Sequence, residues 1–461
     1  MRETLVKSEE FKHSPLGKIP EDWDVVTVES IAADKPYAVV DGPFGSNLKT
    51  EHYREYGIPV IQSGFVTSGV FLAESYVYVD RTLFQAQKRS AVEPGDIVMA
   101  KIGAQCGTSA ILPANHPVGI LAGNSLKIST NPDKCRAAYL LRILHYYYDT
   151  GQIDLIKTET AQPAISLKNL RALKIPLPLW VKEQDAITSI LDALDETIAH
   201  TSSLIAKLKQ MKAGLLHDLL TRGLDENGEL RDAIGHPEQF KDSPLGQIPK
   251  DWEVYPLKEC VCRDAQITYG IVQAGSHVEG GVPYIRTGDM AGDRLSIKGL
   301  LRTSPQIAAS YHRSKVRTGE IVCAIRATVG KVLEVPPELD GANLTQGTAR
   351  IAPREDINNH FLLWALRSTY VQRQFGLAVK GTTFSEITLE NLRQIKVALP
   401  SHREEQDKIA EILDSHDTRT RAEEVYRDKL KLQKQGLMHD LLTGKVRVKD
   451  ADKLTSASDT V

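Results

Sequence analysis

The chain has 461 residues, is 41% hydrophobic and 25% charged, and sets 57 Lys and Arg against 59 Asp and Glu, a net charge of −2. This is the composition of an ordinary globular chain; it excludes a protein that is basic all over but not one with basic groups gathered on one face. At about 150 residues per domain the length predicts about three domains, and no run of 18 apolar residues is present to form a transmembrane helix.

In chain order, residues 11–25 read FKHSPLGKIPEDWDV. Pro and Gly punctuate a loop, Trp23 is expected to plug a core, and a strand is predicted over 25–28. A second strand, 97–99, follows the turn signal Gly95-Asp96, and a helix is predicted over 137–148. After Glu183 the residues Ile187, Leu191, Leu194, Ile198, Ile205, Leu208, Leu215 and Leu219 recur at alternating spacings of four and three, broken only at Thr201 and Lys212. That is coiled-coil spacing. A helix over 183–220 would be about 57 Å long at about 1.5 Å per residue, and Gly223 supplies its stop.

The chain then repeats itself. Residues 240–254, FKDSPLGQIPKDWEV, match 11–25 at eleven of fifteen positions; EQDKIAEILDSHD at 405–417 echoes EQDAITSILDALD at 183–195; GLMHDLLT at 436–443 echoes GLLHDLLT at 214–221. A period of about 225 residues is far longer than a solenoid unit, so two similar units are expected, alike at their ends and divergent in their middles. The second contains a strand over 321–324 after Gly319-Glu320, a helix over 361–375, and a long helix carrying Ile409, Ile412, Leu413, Leu430, Leu437, Leu441 and Leu442 before Gly444. Its seam is polar at His416, Thr420, Glu423 and Arg427. The two long helices are expected to pair and, through the imperfect seam, to meet a partner; Ile187, Leu191, Leu194, Ile198, Leu208, Leu215, Ile409, Leu413, Leu430 and Leu437 mark these partner-interface helices.

Catalytic templates fail. Gly330-Lys331 runs into Val332 and is no phosphate loop, and neither H-E-x-x-H nor G-x-S-x-G occurs. Asp41-Gly42-Pro43-Phe44-Gly45 lacks dinucleotide spacing, and Asn131-Pro132-Asp133-Lys134 lacks the second Pro and aromatic of an amino-methyltransferase pocket. Asp96 with Lys101 has a loose likeness to a nuclease carboxylate–lysine pair, but the copy of Lys101 is Ile325, so Asp96 and Glu320 read as turn residues. His217 and His439 sit in last helical turns, where the helix dipole favours them. Cys106, Cys135, Cys260, Cys262 and Cys323 are too sparse for a disulfide framework, and the one-residue gap between Cys260 and Cys262 does not suit zinc. No metal site or catalytic residue is assigned, and residues 1–10 lack a secretory signal.

The middles carry binding chemistry instead. Residues 24–174 hold 15 Lys and Arg against 14 Asp and Glu, and residues 255–396 hold 18 against 13, mostly Arg, which suits guanine edges and phosphates. Candidate DNA contacts are Ser46, Asn47, Lys49, Gln62, Lys88, Arg89, Lys101, Gln105, Asn124, Ser125 and Gln162 in the first middle. In the second they are Thr268, Gln273, Ser276, Arg286, Thr287, Arg326, Thr328, Asn343, Gln346, Lys380, Thr382 and Thr383. At 6% aromatic, the chain is poorly suited to stacking single strands.

The order of parts resembles the DNA specificity subunit of type I restriction–modification systems. The likeness rests on Ile175-Pro176-Leu177-Pro178 before Glu183-Gln184-Asp185, on Val397-Ala398-Leu399-Pro400 before Glu405-Gln406-Asp407, and on the paired Leu-Leu-Thr helix ends. It implies an α/β (α+β) chain of two similar mixed α/β target recognition domains separated by two long antiparallel coiled-coil helices, with pseudo-twofold symmetry. The boundaries are recognition domains at 1–178 and 225–400, spacer helices at 179–224 and 401–445, and a disordered polar tail at 446–461. It further implies a non-catalytic cytoplasmic subunit that reads a bipartite, asymmetric double-stranded DNA site. Two methyltransferase subunits and restriction subunits would be its partners, and S-adenosylmethionine, Mg and ATP would belong to them, with no cofactor in this chain. The competing readings are an enzyme with a weak active site of its own and an interaction scaffold that never touches DNA.

Overall fold

The computed structural model describes residues 3–8, 10–158, 160–379 and 385–450. The chain divides into two units, residues 1–201 with 426–461 and residues 202–425. The long helices Val181–Thr221 and Arg403–Leu442 each contribute one part to either unit.

In the first unit the strands Trp23–Thr27 and Lys174–Pro178 pair antiparallel, bringing the two ends of the middle together. An antiparallel sheet runs in the order Ser109–Ile111, Ile97–Ala100, Ser125–Ile128, Val39–Asp41. All four residues of Ile97–Ala100 are buried, because the sheet is covered on both faces. Side chains alternate across a strand, so Ile97 and Met99 join Tyr139, Leu140 and Ile143 of the helix Ala137–Asp149, while Val98 and Ala100 join Val40, Ile61 and Leu121. Ile61 and Leu121 belong to a second, mixed sheet in which Gly119–Leu121 runs parallel to Ile58–Ile61.

The second unit repeats the plan. Trp252–Pro256 pairs with Lys396–Pro400, and a sheet runs Thr268–Tyr269, Thr348–Ile351, Ile321–Ala324, Val332–Glu334. Asn343–Leu344 lies parallel to Val282–Ile285. Trp23 and Trp252 are both fully buried, as core plugs.

Three expectations change. The helix over 361–375 is two, Asn359–Arg367 and Thr369–Ala378. Between them Ser368 is extended and its hydroxyl donates to Ala365 O (2.6 Å), a side chain competing with the helix for a backbone acceptor. The supposed tail is structured at its start: Val446–Asp450 pairs antiparallel with Glu3–Lys7, and Val448 is buried; residues 451–461 lie outside the described residues. The helix seams are consumed within their own units rather than left for a partner. Ile187 and Leu191 share a core with Leu441 and Leu442, and Ile409 and Leu413 share one with Leu219 and Leu220. Leu208 and Leu430 are buried, and Leu194, Ile198, Leu215 and Leu437 half-buried. The polar stretch of the second helix is covered as well, with Thr420 buried and His416, Glu423 and Arg427 half-buried.

Charged pairs repeat with the fold. Asp96 and Glu320 are more than turn residues. Lys127 Nζ lies 3.7 Å from Asp96, and at the matching position Arg350 bonds Glu320 (2.7 Å from Nε), all four side chains nearly buried. Burial pushes the Lys127 pKa down, against the pull of Asp96. Between the helix segments, Lys434 meets Asp195 (2.5 Å) in the first unit and Lys212 meets Asp417 (2.8 Å) in the second. In the second unit Lys209 also meets Glu424 (2.6 Å), so numbers rise on one segment as they fall on the other and the segments run antiparallel. Asp195 is further held by Arg142 (2.6 Å); burial would raise its pKa, but the bonds from Lys434 and Arg142 outweigh that and lower it.

A third repeated device ties the ends of each unit. Arg447 bonds Glu183 (2.6 and 2.7 Å) and Asp22 (2.6 and 2.8 Å). Arg231 bonds Glu405 (2.7 and 3.3 Å) and Asp251 (2.9 Å), and Glu405 also accepts from Trp252 Nε1 (3.2 Å). Gly223 and Gly444 end the two helices at φ +63° and +71°, the left-handed stop glycine favours. Among the described residues no helix is long and apolar enough to cross a membrane.

Candidate nucleic-acid interface

In the first unit the strand Val39–Asp41 runs into Gly42, whose backbone lies so close to Ala122 O that no Cβ would fit. From there Pro43, Phe44 and the short helix Gly45–Asn47 turn outward. Gly42 N donates to Ser125 O (3.0 Å) and Lys101 N to Asn124 O (2.8 Å). Ser90 Oγ donates to Asp41 O (2.9 Å), bringing in Lys88 and Arg89. Gly103 N donates to Pro163 O (2.9 Å), bringing in Gln162. Five separate segments therefore meet at one end of the sheet.

At their base the buried Asp41 carboxylate receives Lys101 Nζ (2.8 Å), with Arg89 at 3.8 Å. The same ammonium lies 3.6 Å from the centre of the Phe44 ring. Asn47, Lys49, Lys88, Arg89, Gln105, Asn124 and Gln162 are exposed, and Gln62 is half-buried. Two candidates are not open to a ligand: Lys101 is buried on Asp41, and Ser125 is buried with Oγ donating to Ile61 O (3.3 Å). The Ser46 side chain lies outside what is described.

The second unit gathers its candidates by the same route. Gly270 stands where Gly42 does, with no room for a Cβ against Leu344 O. Ile271 N donates to Leu344 O (2.7 Å), Gln346 N to Ile271 O (3.0 Å), Ile325 N to Gly347 O (2.9 Å) and Ala327 N to Ser385 O (3.0 Å). Gln273, Arg326 and Thr328 are exposed there, with Thr268, Thr287 and Gln346 half-buried. Arg326 pairs with Glu386 (3.3 Å), both about half exposed. Arg286 is already engaged, its Nε and Nη2 bonding Asp289 (3.0 and 2.9 Å). Asn343 is buried and structural, donating to Tyr311 O (3.1 Å). Ser276 is exposed on the segment before Gly281. Lys380, Thr382 and Thr383 lie outside the described residues.

Sequence reasoning missed Asp41, Phe44, Tyr269, Val272 and Glu386. The available signal was the matched glycine in Asp41-Gly42-Pro43-Phe44 and Tyr269-Gly270-Ile271-Val272. Where the first unit buries the pair Asp41–Lys101, the second has Tyr269 and Ile325.

Neither surface holds a cluster suited to a metal among the described residues. Burial pushes the Cys135, Cys260 and Cys323 thiols up to about 12, which keeps them protonated at neutral pH. What each surface offers is amide, hydroxyl and cationic groups on loops, the side chains that contact base edges and phosphates.

The family model described as the type I restriction modification DNA specificity domain matches residues 20–210 and 249–432, once per unit. The chain belongs to this family. As a specificity subunit it recognises DNA sequence for a restriction–modification complex and is itself non-catalytic. It is 27% identical to the type I restriction enzyme MjaVIII specificity subunit of Methanocaldococcus jannaschii, over 96% of this chain and 97% of that one. It is 24% identical to the EcoBI specificity subunit of Escherichia coli, over 86% and 80%. Its fold is similar to that of the type I S subunit of M. genitalium, at TM-score 0.55 and 18% identity over 91% of this chain and 96% of that one. A structure of a type I R-M system solved for its complex assembly and conformational transition matches at TM-score 0.53 and 19% identity, over 93% and 99%.

Proposed function

We propose that this specificity subunit reads a bipartite, asymmetric site in double-stranded DNA, each unit reading one half. The observation that supports this is that one scaffold presents, at the same place in both units, two surfaces of different chemistry. The first holds Phe44 over Lys101 and Asp41, with Lys49, Lys88 and Arg89 exposed. The second holds Arg326 with Glu386, beside Gln273 and Thr328. Surfaces that differ on a shared frame fit half-sites that differ in sequence.

The chain works in the cytoplasm with two methyltransferase subunits, which restriction subunits join. S-adenosylmethionine, Mg and ATP serve those partners, and this chain binds none of them. The exposed faces of the long helices, with Leu204, Met211, Val425 and Leu432 outward, are the surface left to those partners.

The test is a domain exchange. Residues 24–174 are replaced by the corresponding segment of another family member, and methylated sites are mapped in cells carrying the complete system. One half-site should change and the other persist; a change in both refutes the division of labour. Four residues inserted near Lys207 should change the tolerated gap between half-sites, as helical spacing sets half-site distance in dimeric repressors. Binding by the complex should weaken steeply with salt.

A further inference from the structure

We infer that Phe44 reads the C5-methyl group of a thymine in the half-site of the first unit, as a ring fixed from below by an ion pair. The inference rests on the DNA-reading function proposed above. Phe44 stands among the exposed polar groups Asn47, Lys49 and Arg89, yet it is large, apolar and 44% exposed. A ring left there by chance would lie in any of several rotamers. This one is held: the Lys101 ammonium is 3.6 Å from its centre, a distance at which a cation is attracted to the ring face.

The ammonium in turn is anchored on Asp41 at 2.8 Å, with both side chains nearly buried. Buried ion pairs are expensive and rarely the most stable solution. The second unit shows that the fold does not need this one, because Tyr269 and Ile325 take the two positions. The pair therefore serves what it carries. Lys101 is neutralised by Asp41 and covered by Phe44, so it is not offered to a phosphate. What reaches solvent is the ring.

In the major groove the apolar feature available to such a ring is the thymine methyl; other base edges present donors and acceptors. The matching position in the second unit, Val272, is also apolar and 51% exposed, so the site is built for apolar contact in both units, in two sizes.

The half-sites are first mapped by methylation profiling. The specificity subunit assembled with its methyltransferase is then titrated with duplexes in which each thymine of the first half-site is replaced by uracil, which pairs identically and lacks only the methyl. One replacement should weaken binding about fourfold, the value of one buried methyl group. Phe44→Ala should bind the thymine duplex about fourfold more weakly or worse and no longer distinguish it from the uracil duplex. Phe44→Leu should retain part of the discrimination. Thymines of the second half-site should be unaffected by either variant. A first half-site without thymine, a wild-type complex indifferent to every uracil, or undiminished discrimination in Phe44→Ala each overturns the inference while leaving the DNA-reading function intact. Absence of any sequence-specific binding by the wild-type complex would instead refute that function.

Discussion

Replacing Arg447 by Met isolates the device that closes the first unit. Its guanidinium bonds Glu183 and Asp22. The Arg447 and Glu183 side chains are 8% and 6% exposed, while Asp22 is 47% exposed. Without the guanidinium, Glu183 is left charged, buried and without its main counter-ion, an arrangement that costs about 3–5 kcal/mol. Asp22 regains water and adds little. At about 2–4 °C per kcal/mol for a body of this size, the melting of the first unit should fall by roughly 6–20 °C. Calorimetry gives the magnitude, and hydrogen exchange read by mass spectrometry gives the place. Peptides in 174–191 and 441–448 should lose protection, and peptides in 252–256 and 397–413 should keep it. The double variant Glu183→Met with Arg447→Met removes both charges at similar volume and should recover most of the loss. A fall under about 2 °C, equal losses in both units, or a double variant no more stable than the single one would refute the reasoning.

Arg231→Met should give the mirror result, with deprotection confined to the second unit, because Glu405 is the buried partner there. His360 is held between Asp414 and Glu334, whose bonds raise its pKa to about 10. The group gains partners on folding, so its contribution is fully present below the unfolded value of about 6.5 and is lost as pH rises through 10. The urea midpoint should therefore fall more between pH 7 and 10 in wild type than in His360→Gln; equal falls would refute it. Gly223→Ala should destabilise the second unit by more than about 1 kcal/mol, since its φ is +63° and a Cβ would strike Arg231, Glu405 and Trp252. Gly214→Ala, in a helix interior with nothing within 4 Å, should stabilise by about 0.4–1 kcal/mol; denaturant titration of both gives the signs. Arg326→Gln should lower discrimination at the second half-site about tenfold and leave the first unchanged in competition binding with half-site-scrambled duplexes.

The duplication, the long helices and the buried tryptophans could be read from the residues because each is local or repetitive: a spacing of four and three, a glycine stop, a copied phrase. The function class followed from the order of those parts. The charged partners were not legible. Asp96 meets Lys127 and Glu183 meets Arg447 only once strands and ends are folded together, and neither separation follows a helical or strand period. Seam residues were misassigned to a partner for a related reason, since apolar spacing shows that a face is buried without showing against what. The candidate contacts Lys101, Ser125 and Asn343 failed because polar character does not distinguish a groove contact from a buried hydrogen bond. Lys49, Arg89 and Gln105 in the first unit and Arg326 in the second are exposed on loops that converge within their own unit, which composition alone does not reveal.

The strand Val446–Asp450 beside Glu3–Lys7, and Arg447 between Asp22 and Glu183, also set an order of assembly. Residues 202–425 form a continuous stretch that is complete before the last residues are made. The first unit, begun first, waits for its closing strand through the synthesis of nearly 250 further residues. At about 5–20 residues per second that is a delay of roughly ten seconds to a minute, during which Trp23 and the first core lack their cover. The unit begun first is thus the one finished last, so loss of residues 446–450 would undo the unit that holds residues 3–7.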